Sequence, residues 1–480
     1  MWQPVLMING FIILVIGIMM FIPAFVLFYY TGVPDYTFIQ SGIASIFIGG
    51  LLFLTNYGKV EKISVTQGYL ITVVCWFLLP LVCSIPLYNN GGIVYYVDAL
   101  FEATSGITAT GATILSDVES KPLSILLWRA MLNGLGGIGI VIFAVALMPF
   151  LGIGGMHLFS KENSDTEEKF LPKVRDIAKD IIITYVLLNF ICAFALNMAG
   201  MNKFDAITHA MSTLGTGGFS TKNTSIAFFD SSKIEFIIGI FMIIGALPIT
   251  YIILAFKKRS FSYIISNAQV NTFLKLIAFY IVSLTIFYAN YANIDYFKAF
   301  RYISFNVISA VTTTGLTSSN FVLWGSWAFI VFLIFYMHGG CTGSTTGSIK
   351  IFRWQVISAF FKKNAVNSLS PHQVSVMKTG DKVINDSVVS SVFALVLSFI
   401  LAIIFLTLVI CFAGIDFKTA IGAVGACITN SGVGLTDATG PSGNFSLFSD
   451  FIKYVLSFAM VLGRLEVISV LVLFSKIKLH

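Results

Sequence analysis

The chain has 480 residues, of which 57% are hydrophobic and only 11% charged, and its mean hydropathy is +0.90. Soluble domains carry about 25% charged residues, and many runs here approach the ~20 apolar residues that cross a bilayer, so a soluble fold is excluded. The net charge of +7 implies neither nucleic acid nor an acidic substrate until its place along the chain is known. The six cysteines, Cys75, Cys83, Cys192, Cys341, Cys411 and Cys427, form no CxxC pair, which argues against a zinc site or a disulfide framework.

The first apolar run, "MINGFIILVIGIMMFIPAFVLFYY", lacks a basic leader and a small-residue cleavage site, and is too long for a signal peptide. It is read as a retained helix over 7–30, followed by a second over 36–56. Residues 1–63 thus form an N-terminal pair. A four-part pattern follows, in units 64–160, 161–262, 263–370 and 371–480. Each unit has an apolar span, a short amphipathic segment ending in a Gly/Thr cluster, a polar loop and a second apolar span. The flanking spans are 64–88 and 122–150, 180–199 and 233–256, 271–293 and 325–358, 386–414 and 448–475. With the N-terminal pair, ten spans are expected. The fold class is therefore an all-α polytopic membrane protein, with four tandem helix–loop–helix repeats around one pseudo-fourfold axis.

The clusters are "TATGAT", "LGTGGFST", "TTTGLT" and "TNSGVG". Alignment on a shared glycine gives four sets: Thr108, Ala109, Thr110 and Gly111; Leu214, Gly215, Thr216 and Gly217; Thr312, Thr313, Thr314 and Gly315; Thr429, Asn430, Ser431 and Gly432. All four lie on one side of the membrane. Most of the 29 lysines and arginines lie on the longer loops of the other side, which places those loops and both termini in the cytoplasm. The positive charge is orientation.

The segment before each cluster is too short to span, so each is read as a re-entrant half-helix. Exposed backbone at that depth persists only against protein or water. Four such loops can supply rings of carbonyls that replace a cation's hydration shell. Glycine permits the backbone angles this needs, and half-helix C-termini add negative dipole. No carboxylate ring is present. Asp98, Glu102, Asp205, Asp295 and Asp416 precede the clusters and either concentrate cations or cap the half-helices. The plainer alternative is that small-residue clusters are helix contacts.

A second glycine-rich stretch interrupts the 325–358 span: Gly339, Gly340, Cys341, Thr342, Gly343, Ser344, Thr345, Thr346, Gly347 and Ser348. It has no charge and little bulk, so it is expected to face the pore and move aside cheaply. Arg464 lies within the last span, where a charge is costly unless paired or facing water. A structural salt bridge with Glu466 is the plain reading. Arg129 is assigned a structural role, and His209 and His338 are read as core residues before sensors. A secondary transporter would show two related, often inverted, halves. No HExxH, GxSxG or GxxxxGK[ST] motif suggests an enzyme or a nucleotide site in this chain.

The clusters "SGITATGATIL", "MSTLGTGGFST", "ISAVTTTGLTSS" and "ITNSGVG", with "LLWRAMLNGLGGIGI", "GGCTGSTTGSIKIFRW" and "LGRLEVISVLVLF", resemble the Trk/Ktr/HKT superfamily of potassium transporters. The two extra N-terminal helices make it most similar to the TrkH branch rather than the shorter KtrB type. The resemblance covers nearly the whole chain. It implies a potassium uptake protein of the cell (inner) membrane, K+ bound in the four-loop filter, and no organic cofactor. It also implies a homodimer with one pore per subunit, and a cytoplasmic TrkA-like ring of nucleotide-binding regulatory subunits. It places residues 339–348 as an intramembrane gating loop with Arg464 opposite. In such proteins a serine in place of the first filter glycine accompanies sodium permeation, so Gly111 implies potassium selectivity. Many relatives have proline where this chain has Val433. A cation symporter using H+ or Na+, or a Na+/K+-permeable Ktr-type transporter, is the alternative.

Overall fold

The computed structural model describes residues 2–58, 65–142, 170–370, 376–380 and 382–467. Residues 143–169, with the end of the expected 122–150 span and the start of the following basic loop, and residues 468–480, with the end of the expected 448–475 span and the tail, lie outside the described residues. Helices α1 (Trp2–Met19) and α2 (Phe21–Thr31) form one broken span, and α3 (Tyr36–Asn56) returns. Glycines let α1 and α3 approach to backbone contact: a Cβ on Gly49 would sit 2.5 Å from the Leu14 nitrogen. Small residues at such seams are the usual device for helix association in lipid. Asp35 caps α3 by accepting from the Phe38 N–H, and it also accepts from the Ser124 hydroxyl at 2.6 Å. This ties the N-terminal pair to the first repeat.

The repeats follow in order. The first has α4 (Val65–Ser84), the half-helix α5 (Tyr96–Ile107) and α6 (Leu123–Ile142). The second has α7 (Phe170–Met198), the half-helix α8 (Lys203–Leu214), then α9 (Ser232–Ala246) and α10 (Ile249–Lys258). After the short α11 (Ser262–Ile265), the third has α12 (Ala268–Ala292), the half-helix α13 (Tyr296–Val311), then α14 (Ser326–Met337) and α15 (Ile351–Leu369). The fourth has α16 (Asp386–Phe412), the half-helix α17 (Phe417–Ile428) and α18 (Asp450–Arg464). A ribbon of two residues per strand, Lys378–Thr379 against Lys382–Val383, precedes α16.

Seven helices among the described residues are long and apolar enough to cross a membrane, or eight if α9 and α10 count as one bent span. Of the ten expected spans, 233–256 is the bent pair, 325–358 is interrupted at its glycine-rich stretch as expected, and 448–475 runs past the described residues. The second spans break in repeats two, three and four. The 233–256 span bends by 101° between α9 and α10, where Pro248 lacks the N–H to continue the helix. The 325–358 span is open between His338 and Lys350. The described part of the last span is helical from Asp450 to Arg464, and Glu466 and Val467 follow at φ of 57° and 45°. Arg464 is thus the last residue of α18. The four half-helices have 12, 12, 16 and 12 residues, about 18–24 Å at 1.5 Å per residue and well short of the bilayer core. Many large apolar side chains on the outer helices remain exposed, such as Phe47, Leu54 and Phe190, which suits lipid contact.

Candidate functional site

Every half-helix runs C-terminally into its cluster, and the clusters themselves are non-helical. This disfavours the reading of them as helix–helix contacts. The same hydrogen bonds end all four half-helices. The N–H of Thr108, Gly215, Thr312 and Thr429 bonds four residues back, to the carbonyls of Thr104, Met211, Ile308 and Gly425. The N–H of Thr110, Gly217, Thr314 and Ser431 bonds five residues back, to Ser105, Ser212, Ser309 and Ala426, at 2.8–2.9 Å. Between them Ala109, Thr216, Thr313 and Asn430 take left-handed backbone at φ of 49°, 48°, 54° and 55°.

These bonds correct the register of the second cluster. Gly111, Gly315 and Gly432 are left-handed at φ of 89°, 79° and 74°, and their partner in repeat two is Gly218 at 72°, not Gly217. Leu214 is the last residue of its half-helix, equivalent to Ile107. The sequence offers two adjacent glycines, and a shared-glycine alignment cannot choose between them. The hydrogen bond from Gly217 to Ser212 does.

The four left-handed glycines close a cycle. A Cβ on Gly111 would lie 2.3 Å from the Gly217 carbonyl oxygen; on Gly218, 2.1 Å from Thr314 O; on Gly315, 2.3 Å from Ser431 O; on Gly432, 2.1 Å from Thr110 O. Each repeat thus packs its glycine against the next repeat's carbonyl, and the fourth packs against the first. Only a residue without Cβ permits this approach. Val433 does not disturb it: Gly432 keeps the common φ, and the Val433 carbonyl accepts from the Tyr336 hydroxyl at 2.6 Å.

The five carboxylates that precede the clusters are all engaged. Glu102 and Arg129 are both buried, with Arg129 Nε 2.6 Å from Glu102 Oε1. Glu102 also accepts from the Thr113 hydroxyl and the Ile114 N–H, while Arg129 donates to the Ser220 carbonyl at 3.0 Å. The pair clamps the exits of clusters one and two together, the structural role expected for Arg129. Arg301 of the third repeat donates to Glu235 of the second at 2.7 Å, and Lys453 of the fourth reaches Asp98 of the first at 2.6 Å. Asp205 accepts from the Thr221 hydroxyl and Asn202 Nδ2. Asp295 and Asp416 cap α13 and α17. The Asp416 carboxyl is held below its usual range by the Thr419 N–H it accepts. Both histidines sit in ordinary packing roles: His209 bridges Asp205 O and Ser220 Oγ, and His338 bonds Ile334 O and stacks on Trp354.

Glu102→Ala is expected to cost about 3–5 kcal/mol, because it strands the buried Arg129 guanidinium. Asp230→Ala, which removes the exposed partner of Arg301, is expected to cost under about 1 kcal/mol. Thermal unfolding of the purified variants measures both.

Residues 339–348 dock into the α9/α10 break. The Cys341 N–H donates to Ala246 O, the Thr345 N–H and hydroxyl donate to Gly245 O, and the Ile249 N–H donates to Gly343 O. The stretch therefore satisfies the carbonyls that the helix break orphans. It also bonds the clusters directly, with the Gly347 N–H on Thr313 Oγ1 at 2.9 Å and the Thr216 hydroxyl 3.3 Å from Thr345 Oγ1. Gln269 accepts from the Thr342 N–H. The backbone of the stretch is held on several sides. Arg464 donates to Thr345 O and to Gly136 O, both at 3.0 Å. Its alternative partner Glu466 is instead bonded to Arg353 at 2.5 Å. Sequence reading missed Lys350, whose buried Nζ bonds Thr346 O and Oγ1; a lone lysine closing a glycine-rich run inside an apolar span is the signal for it.

The profile of the TrkH family, described as "Cation transport protein", matches residues 35–479. The chain is similar to "Trk system potassium uptake protein TrkI" of Halomonas elongata, 33% identical over 99% of this chain and 96% of that protein. It is equally similar to "Trk system potassium uptake protein TrkG" of Escherichia coli, 33% identical over 97% and 96%. The crystal structure of "the Potassium Transporter TrkH" from Vibrio parahaemolyticus superposes with a TM-score of 0.91 over the whole of both chains, at 28% identity.

Proposed function

The chain belongs to the TrkH family of cation transport proteins, a transporter and not an enzyme, and from that premise we propose that it is a potassium uptake protein conducting K+ through the four-cluster ring. The observation that carries this reading is the closed cycle of glycine–carbonyl contacts. A ring of fixed backbone oxygens can exchange for a cation's hydration shell, with selectivity set by cavity size and dipole number. The carbonyls offered are those of Thr110, Gly217, Thr314 and Ser431 and their neighbours in each cluster, with Gly218 completing the set. The half-helix C-termini aim their negative dipole ends at the same centre, favouring cations over anions.

Residues 339–348 and Arg464 act as the gate in this proposal. The guanidinium bridges the stretch to α6, and a cation there raises a barrier to another cation. The termini face the cytoplasm of the cell (inner) membrane. The resemblance of the motifs favours a homodimer controlled by a TrkA-like regulatory ring.

Purified protein in planar bilayers under opposed K+ and Na+ gradients tests the reading. Unitary currents reversing near the K+ potential support it. Saturable flux without current steps, coupled to H+ or Na+, supports the symporter instead. Currents that ignore the cation overturn the filter assignment.

A further inference from the structure

Cluster two lacks what the others share. In clusters one, three and four, the residue preceding the left-handed glycine carries a hydroxyl, Thr110, Thr314 or Ser431. Each pairs with the hydroxyl two residues earlier, on Thr108, Thr312 or Thr429, at 2.7, 2.8 and 3.0 Å. Cluster two has glycine at both places, Gly215 and Gly217. The space is nonetheless filled. A Cβ on Gly217 would lie 2.3 Å from Asn133 Cγ, 2.6 Å from its Nδ2 and 2.6 Å from its Oδ1, and these are its three nearest atoms. A Cβ on Gly215 would lie 2.4 Å from the Asn133 carbonyl oxygen.

Asn133 belongs to α6, the second helix of the preceding repeat. It is fully buried, donates from Nδ2 to Ser212 Oγ at 3.4 Å, and leaves Oδ1 without a hydrogen-bond partner among the described residues. Its counterparts are apolar. Gly136, Gly245 and Gly463 each face the last carbonyl of their own half-helix, at Ile107, Leu214 and Ile428. Three residues before each of those glycines stand Asn133, Met242 and Met460. The polar side chain occurs in the helix that faces the cluster without the hydroxyl pair, while Met242 and Met460 belong to the other two helices. Gly217 is not in left-handed backbone, so its own conformation admits serine, and the three atoms nearest an added Cβ all belong to Asn133.

We infer that Asn133 is a positioning residue of the filter, its carboxamide replacing the side-chain wall that cluster two lacks. It holds the Gly217 carbonyl against Gly111 without contacting the permeating ion. The inference rests on the potassium-conducting reading above. A packing residue alone would govern how much protein folds; a positioning residue governs which ion passes.

The test is a cycle of Asn133→Ala, Gly217→Ser and the double variant, read as K+/Na+ permeability ratios in bilayers beside the unaltered chain. Each single variant is expected to lower the ratio about tenfold, the equivalent of roughly 1.4 kcal/mol of lost discrimination. Asn133→Ala opens a void behind the loop, and Gly217→Ser displaces the carboxamide. The double variant returns the side chain from within the cluster and is expected to recover most of the ratio. An unaltered ratio in Asn133→Ala, or a double variant no better than Gly217→Ser, overturns the inference. If Asn133→Ala does not fold, comparison of Gly217→Ser with the double variant decides alone, recovery supporting and no recovery overturning. An unaltered chain that does not discriminate K+ defeats the conduction reading instead.

Discussion

Gly111→Ser is expected to abolish most of the discrimination between K+ and Na+, lowering the permeability ratio by about tenfold or more. Two costs coincide at this position. Its φ of 89° is one that residues bearing a Cβ rarely adopt. The new Cβ would also fall 2.3 Å from the Gly217 oxygen. That neighbour is backbone, held from the other side by its bond to Ser212, so it can yield only by leaving the ring. The same geometry at Gly218, Gly315 and Gly432 predicts comparable losses there. Gly139→Ala is the silent control, since a Cβ there meets nothing within 4 Å. Reversal potentials under bi-ionic conditions measure all of these, and an unchanged ratio for Gly111→Ser removes that glycine from the filter.

Arg464→Ala is expected to raise K+ flux, by about tenfold if the two hydrogen bonds it loses contribute roughly 1.5 kcal/mol or more to the closed state. Among the described residues the buried guanidinium binds only carbonyls, Thr345 O and Gly136 O, so its removal takes away a cation and a strap together. Thr345 stays anchored to Gly245, so the stretch loosens on one side without unfolding. Deleting part of 341–347 is expected to raise flux as well, with a loss of thermal stability that Arg464→Ala does not share. The deletion orphans the Gly245 and Ala246 carbonyls at the α9/α10 break. Tracer uptake into vesicles, read beside thermal unfolding, separates the two effects. A variant that neither leaks nor folds would mark Arg464 as structural.

The sequence by itself determined the membrane class, the four-repeat order, the half-helices and the non-helical stretch at 339–348. These follow from composition, from apolar runs of countable length, and from glycine's local aversion to helix. Arg464 was also legible, because a charge inside an apolar run is conspicuous wherever its partners are. The tertiary structure alone decided that Gly218 rather than Gly217 completes the cycle, because which glycine turns left-handed depends on the Ser212 bond and on Thr314 in the next repeat. It also decided that Glu466 belongs to Arg353, and that 339–348 repairs the break at Pro248. The seating of Asn133 behind cluster two is of the same kind. Each of these joins residues far apart in the chain through contacts of a few ångströms, and local pattern carries no record of which distant carbonyl or hydroxyl will arrive.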